Sequence, residues 1–429
     1  MVPYLSVGID VGSVFSFLSI VNPQGVVVGK PFKIHHHDVS SLEKAAECIK
    51  KAEELYSLES RTFLESTGCY HFPLFCYLIE SGFRVFVINP LTTHSIKNMG
   101  IRKVKNDKVD SIKIARLGLS PDLKLSVMPA GLVLELRFLT RKYYELVDQH
   151  TAHVNQLRAS LSQAFPQLLP LFSNIAGKTA IMVLREYPTP KHLLRAHRKV
   201  LIGKLARASR KGEKRCEVLY DQLMAAAKAA LVFGVSLDSL FFNVREELDS
   251  IEHFSGRIDR VIARMEKLVQ DHESVRFIQQ VRLLESIPGV GFLSALTIMC
   301  EIGDFDAFQK PKQLVAYFGL DPAVKESGLF KATQVHLSKR GSRVARRAVF
   351  SVALSSVSRK KDGEARNPVL REYYLKKIQS KPKMTALGAI MHKLCNIIFA
   401  VLRDHKPFEV RTPEEHSLQY QASRLAASA

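Results

Sequence analysis

The chain has 429 residues, 46% hydrophobic and 24% charged, which is long enough for two or three domains with real cores and too globular in composition for a disordered or fibrous protein. Lysine and arginine number 62 against 41 aspartate and glutamate, a formal net charge of +21, and that surplus points to a polyanionic partner, nucleic acid first and an anionic membrane second. No stretch approaches 18 uninterrupted apolar residues, and the opening MVPYLSVGID carries no export signature, so a cytoplasmic protein is expected.

Between Leu5 and Ile34 the short β-rich runs LSVGID, SFLSIV and VVVGKPFKI, with a turn at Asn22-Pro23-Gln24-Gly25, predict three antiparallel strands. A helix follows around Ser41 to Tyr56, then an apolar strand RTFLE ending at Glu65, a helix near Phe72 to Ile79 and a strand RVFVIN ending at Asn89. A helical segment, KNDKVDSIKIARLGL, completes the order βββαβαβα. That order makes an α/β mixed sheet with helices on its faces, the strand order of the RNase H-like fold.

After Pro129 the apolar residues Leu136, Leu139, Tyr143, Val147, Val154, Leu157 and Leu161 recur at helical spacing over roughly nine turns. A second long helix carries Val244, Leu248, Ile251, Ile258, Ile262, Met265 and Val269 in alternating steps of four and three, broken at Ser255. This reads as a coiled-coil seam, with an ordinary amphipathic helix against a core as the other reading. Between the two, Lys191 to Arg215 holds ten Lys or Arg and one acid, Glu213. Solvated helix faces are usually balanced in sign, so Arg195, Arg198, Lys199, Arg210 and Lys211 are candidate nucleic-acid contacts. The expected organisation is a mixed-sheet domain over 1–128, a helical coiled-coil connector over 129–282, a mainly helical domain over 283–404 and a flexible tail over 405–429. The six cysteines, with no C-x-x-C pair, read as reduced thiols packed as small apolar residues.

Four acids carry the first candidate chemistry. Asp10 and Glu65 end predicted strands, where a side chain at the sheet's rim can reach a cleft. Asp107 and Asp110 stand three apart and project from one helical face. Like charges at that spacing repel unless a cation or the helix dipole offsets them. Hard divalent cations such as magnesium take carboxylate oxygens, and two ions can clamp the attacking and leaving oxygens of a phosphodiester. Lys103, Lys105 and Lys108 stand beside the helical pair and would offset phosphate charge. The motif VGIDVGS also resembles the first phosphate loop of actin-like kinases, but no further Gly-rich phosphate loop follows.

The second candidate region begins with LLESIPGVGFLSALTIMCEIGDF, in which Gly289 and Gly291 sit in a tight turn between helical runs. In helix-hairpin-helix modules such a turn lets backbone N–H groups hold a phosphate, and a plain interhelix turn is the alternative. Downstream, Ser327 precedes Gly328 in a predicted loop, and Lys331, Lys339, Arg340, Arg343, Arg346 and Arg347 follow it. These cations would stabilise the charge that develops when a hydroxyl attacks a phosphodiester. Glu326 and His336 are near enough in sequence to assist proton transfer.

Together GIDVGS, FLESTG, KNDKVD, YPTP near Pro188, IPGVG, and FGLDPAVKESG with KRGSRVARRA resemble the DEDD transposases of bacterial insertion sequences. These form the insertion-sequence one-ten family, which includes the Piv DNA invertases, and the likeness runs to about Arg403. It implies a RuvC-like first domain, a helical coiled-coil connector and a transposase domain with a serine nucleophile. Asp10, Glu65, Asp107 and Asp110 match the family's metal-binding acids, and Ser327 matches its catalytic serine. The resemblance further implies magnesium, double-stranded donor and target DNA, and dimers pairing into a tetramer. A bridge RNA, whose loops pair with both DNAs, guides some members. A RuvC-like junction nuclease without serine chemistry and an architectural DNA binder are the competing functions.

Overall fold

The computed structural model describes residues 3–66, 69–88, 106–121, 123, 131–323, 326–327, 330–331, 336–412, 414–415, 417–419 and 421. The chain divides into two compact units, Met1–Glu135 with Ile302–Ala307, and Leu136–Glu301 with Phe308–Ala429.

The first unit is built on five strands: β1 (Leu5–Val11), β2 (Phe15–Val21), β3 (Val27–His35), β4 (Ser60–Glu65) and β5 (Arg84–Ile88), in the order β3-β2-β1-β4-β5. The first three run antiparallel, and β4 and β5 lie parallel to β1. This is the RNase H-like order. Asn22 closes the β2–β3 turn by accepting hydrogen bonds from the Gln24 and Val26 N–H groups. Parallel strands need a crossover, and α1 (Val39–Tyr56) and α2 (His71–Glu80) supply the two here. The first begins two residues before the predicted Ser41, because the Asp38 carboxylate accepts the Ser40 N–H and caps it.

The two faces of β1 are chemically different. Leu5, Val7 and Ile9 are fully buried in a core with Ile49 of α1 and Leu74, Phe75 and Leu78 of α2. The alternate residues Ser6, Gly8 and Asp10 belong to the opposite face, which is covered by α3 (Asp107–Gly118). A Cβ built on Gly8 would lie 2.2 Å from the Ala115 nitrogen and 2.3 Å from the Ser111 carbonyl oxygen. The helix therefore rests directly on the strand's backbone, held by Ser6 Oγ donating to the Ala115 carbonyl at 2.6 Å and by the Ser19–Ser111 hydroxyl pair at 2.7 Å.

The second unit is helical. Its first long helix is α4 (Gly131–Ala164), whose first turn belongs to the first unit. The others are α5 (Lys178–Glu186), α6 (Pro190–Leu194), α7 (Arg198–Ser209), α8 (Glu213–Val232), α9 (Asp238–Asp271), α10 (Arg276–Glu285), α11 (Phe292–Ile302), α12 (Pro311–Tyr317), α13 (Arg343–Ser356), α14 (Pro368–Ile378) and α15 (Lys383–Asp404). The seam of α9 is used unevenly. Val244, Leu248 and Ile251 join Leu157 and Leu161 of α4 in a core shared with α5 to α8, as an ordinary amphipathic helix would, whereas Ile258 and Ile262 are half-buried. His153 of α4 meets Glu247 of α9 at 2.7 Å and stacks on Phe254.

Among the described residues α15 is the one helix long and apolar enough to cross a membrane. Here Ile390, Leu394 and Ile398 are fully buried within the unit. The start of the segment expected as a flexible tail is docked, with the Phe408 N–H donating to Ser286 Oγ at 2.8 Å.

All six cysteines are free. Cys216, Cys300 and Cys395 are buried, Cys48 and Cys76 half-buried and Cys69 exposed. Burial pushes the Cys395 thiol up to about 12 and raises Cys300 and Cys48 as well, so these thiols hold little thiolate near neutrality. A maleimide added to the native protein is expected to label Cys69 first, with Cys300 and Cys395 reacting only in denaturant. Peptide mass mapping after a short pulse reads the order, and early labelling of Cys395 would contradict the packing of α15.

Candidate active site and nucleic-acid interface

The first site grows out of the edge where β1 and β4 end. Ile9 pairs with Leu64 in the parallel ladder, so the next rung sets Asp10 beside Glu65, about 4.8 Å apart at their backbones. Both belong to the face that carries α3. Phe63, two residues before Glu65, meets Gly118 on that face, as Gly8 meets Ser111 and Ala115. Contacts that step from Ser6 with Ala115 to Gly8 with Ser111 run α3 antiparallel to β1, which brings the helix's first turn toward Asp10.

That first turn carries Asp107 and Asp110. Asn106 caps it by accepting the Lys108 N–H at 3.0 Å, and the N-terminal helix dipole favours acids there. Asp107 is exposed, whereas Asp110 is 5% and Glu65 8% exposed. Lys113 reaches Asp110 at 3.2 Å, and Lys108 lies over the Phe17 ring, opposite Asp10 on β2. Lys103 and Lys105 lie outside the described residues.

Asp10 and Glu65 thus share one end of the sheet, the first turn of α3 is directed toward that end, and the hard oxygen donors of the four acids suit a divalent cation. The rim is not a closed cage: among the described residues no three His, Cys, Asp or Glu side chains are gathered to hold a metal ion together. Carboxylates repel, and Lys113 already compensates the buried Asp110.

Ser327 belongs to a hairpin between α12 and α13. The strands β6 (Glu326–Ser327) and β7 (Phe330–Lys331) pair antiparallel, Ser327 with Phe330 and Glu326 with Lys331, and the structure describes the backbone of these four residues. The base is zipped below them. The Lys339 N–H donates to the Gly319 carbonyl, the Ser338 N–H to Asp321, and the Ala323 N–H to His336. Ser338 Oγ adds a hydrogen bond to the Asp321 carboxylate at 2.5 Å.

Under that base lies a buried charge. Glu301, at the end of α11, is 1% exposed and binds Arg141 at 2.8 and 3.1 Å and Ser342 Oγ at 2.7 Å. Its carbonyl accepts from Arg137 and from the Tyr317 hydroxyl. Ser342 in turn caps α13 by accepting the Ala345 N–H.

The basic residues divide by what they touch. Arg346 donates to the Phe318 carbonyl at 2.9 Å, and Arg347 pairs with Asp148 at 2.7 Å and lies over Tyr144, so these two serve the fold. Lys339, Arg340 and Arg343 are exposed. Arg195, Lys199, Arg210 and Lys211 are also exposed, and Arg198 is engaged by Asp221 at 2.8 Å. The turn between α10 and α11 is the tight interhelix turn that its glycines predict. The close approach that requires a glycine at 289 is to Ser356 of α13, where a Cβ would lie 2.4 Å from Oγ and 2.8 Å from the backbone. Gly291 is exposed with open space around it, just before α11.

A DEDD transposase model of the IS110 type matches residues 7–166, and the model of the transposase IS116/IS110/IS902 family matches residues 281–375. Together they take in more than half of the chain, including all four acids and Ser327. The chain belongs to this transposase family. An uncharacterized 44.8 kDa protein of insertion element IS116 from Streptomyces clavuligerus is 25% identical over 95% of this chain and 96% of its own. The pilin gene-inverting protein of Moraxella lacunata is 25% identical over 82% of each chain. Among solved structures, "T. thermophilus RuvC in complex with Holliday junction substrate" matches 26% of this chain and 90% of its own, at 10% identity and a TM-score of 0.20.

In this transposase several structural residues carry no signal in the sequence. Glu301 sits in the apolar run FLSALTIMCEI, and its partners Arg137 and Arg141 lie about 160 positions away. The small residues Ser6, Gly8 and Gly118 did leave a trace, since they interrupt otherwise bulky runs where α3 meets the sheet.

Proposed function

We propose that this transposase cuts and rejoins double-stranded DNA through a phosphoserine at Ser327, assisted by the acidic rim of the first unit. The observation that supports it most is the adjacency of Asp10 and Glu65 on neighbouring strands, facing the helix whose first turn bears Asp107 and Asp110. In the covalent step the Ser327 oxygen forms a bond to phosphorus as the bond from phosphorus to one deoxyribose oxygen breaks. The serine's proton leaves to a base, and the released sugar oxygen takes up a proton. Attack by another strand's hydroxyl reverses the step, so bond energy is conserved and no ATP is consumed.

Asp10, Glu65, Asp107 and Asp110 are the residues that would hold magnesium, as two ions; when bound, the metal would supply positive charge to the scissile phosphate. The acids themselves position that charge, while the exposed Lys339, Arg340 and Arg343 bind backbone phosphates near the serine. The acidic chemistry is assigned to residues 1–128 and the serine chemistry to 283–404. A bridge RNA pairing with donor and target, and dimers joined into a tetramer, complete the reading on the family likeness, with the exposed cations of Lys191 to Arg215 holding backbones while base pairing reads sequence.

The test is recombination between matched DNA sites with and without the element's flanking RNA, trapping protein-linked DNA on a denaturing gel. The expected result is an adduct that requires Ser327 and is lost in Ser327→Ala. Asp10→Asn is expected to slow strand cleavage about 10²–10³-fold, with circular dichroism showing the fold retained. Cleavage that ignores Ser327→Ala but fails in Asp10→Asn would make the protein a metal-dependent junction nuclease instead.

A further inference from the structure

Apart from the acidic rim and the serine hairpin, the second unit contains a cavity of about 600 Å³ between the start of α5, the α7–α8 turn and the loop at Leu171–Asn174. A volume of that order is typical of small-molecule sites, about 300–1,000 Å³. Four cations line it, Lys178, Arg210, Lys211 and Arg215, and no acid does. Some nearby cations are paired, Arg198 with Asp221, Lys204 with Glu186, and Arg185 with Asp249 and Glu252. Among the described residues the four around the cavity have no ion-pair partner. Uncompensated like charges around one hollow repel, and an anion held there relieves that repulsion.

The cavity is not a bare phosphate hole. Phe172 and, on α8, Val218 and Leu219 give it an apolar wall, a surface suited to the flat face of a nucleobase rather than to a phosphate alone. The first turn of α5 also faces the cavity, and Gly177 at its cap offers no side chain to its N–H groups, which adds partial positive charge on the same side.

We propose that this cavity takes a single nucleotide swung out of a nucleic-acid strand. Its base lies on the apolar wall, and its flanking phosphates lie against Lys178, Arg210, Lys211 and Arg215. The proposal rests on the nucleic-acid reading above and deepens it, by adding a pocket for an unpaired nucleotide to a surface otherwise read as a backbone-tracking patch. Extruding a nucleotide is cheapest where it is already unpaired, so a bulge is the natural probe.

The experiment measures binding of the full-length protein to a duplex carrying one unpaired 2-aminopurine nucleotide and to the same duplex fully paired, in DNA and RNA versions. Anisotropy gives the affinities and 2-aminopurine fluorescence reports the base. The expected result is a preference for the bulged duplex of about tenfold, the scale of one base stacked on an apolar surface, with a fluorescence change on binding. The double change Lys178→Gln with Arg210→Gln, and separately Val218→Trp, which fills the cavity without altering charge, are expected to bring that ratio toward one. The DNA and RNA arms show which strand supplies the nucleotide. Equal affinity of the wild type for bulged and paired duplexes overturns the pocket while leaving the basic surface intact, and so does a preference that survives Val218→Trp. Absence of binding to every duplex would instead overturn the nucleic-acid reading itself.

Discussion

Replacing Glu301 by alanine is expected to destabilise the second unit by about 3–5 kcal/mol, the scale for removing one partner of a buried ion pair. The carboxylate is 1% exposed, and its removal leaves Arg137, 14% exposed, with its charge uncompensated inside the protein. Arg141 loses both of its hydrogen bonds at the same time, and Ser342, which caps α13, loses its acceptor. Glu301→Gln keeps the shape and removes the charge, so a smaller loss is expected. The pH dependence has a definite sign. Burial raises the Glu301 carboxyl, but Arg141, Arg137 and the Ser342 hydroxyl lower it more, leaving it below its ordinary 4.5. A carboxyl depressed in the folded state contributes stability that is full above the unfolded value and lost as the pH falls through the folded one. The gap between wild type and Glu301→Gln in urea midpoints should therefore be widest above about pH 5 and close in stronger acid. A gap independent of pH would show that packing, not charge, is what Glu301 supplies. Because α12 and α13 flank the hairpin of Ser327, adduct formation should fall along with stability.

The second large effect is expected at Gly8. An alanine there puts a carbon at 2.2 Å from the Ala115 nitrogen and 2.3 Å from the Ser111 oxygen, both backbone atoms of α3 that no rotamer change can remove. The helix has to lift, and with it go the Ser6–Ala115 and Ser19–Ser111 hydrogen bonds. Overpacking costs about 1–3 kcal/mol and each buried hydrogen bond about 1 kcal/mol, so Gly8→Ala should cost about 3 kcal/mol or more. Lifting α3 also draws the turn with Asp107 and Asp110 away from Asp10. Strand cleavage is then expected to fall even under conditions where the variant is fully folded. Thermal melts and cleavage of a labelled duplex measure both. A Gly8→Ala protein as stable and as active as the wild type would mean that α3 is not seated on β1.

Much of this was legible in the residues themselves. Strands β1 to β5 and helices α1 to α3 follow from runs of alternating, β-branched or helically spaced residues and from the Asn22–Gly25 turn, all of which act over a few residues and so leave a local pattern. The acids were legible for the same reason: Asp10 and Glu65 end strands, and Asp107 and Asp110 keep a helical spacing. The adjacency of Asp10 and Glu65 is a tertiary fact, because it depends on which strands are neighbours, and so is the approach of α3's first turn, which depends on the helix crossing back over Gly8. The two long helices were legible from their periodicity. What their apolar stripes pack against was not: Val244 to Ile251 turn to the chain's own core while Ile258 and Ile262 are half-buried. Charge counting marked the basic segments as wholes, but it gave Arg346 and Arg347 the same weight as Arg340 and Arg343, and only the fold ties the first two to Phe318 and Asp148. The turn glycine at 289 announced a close approach without naming Ser356 as the neighbour. Sequence by itself determined the elements and the residue types at their ends, since those depend on backbone propensity and periodic burial. The tertiary structure decided the pairings, such as Arg141 with Glu301 across 160 positions, because an interaction between distant segments imposes no spacing that a single chain can display.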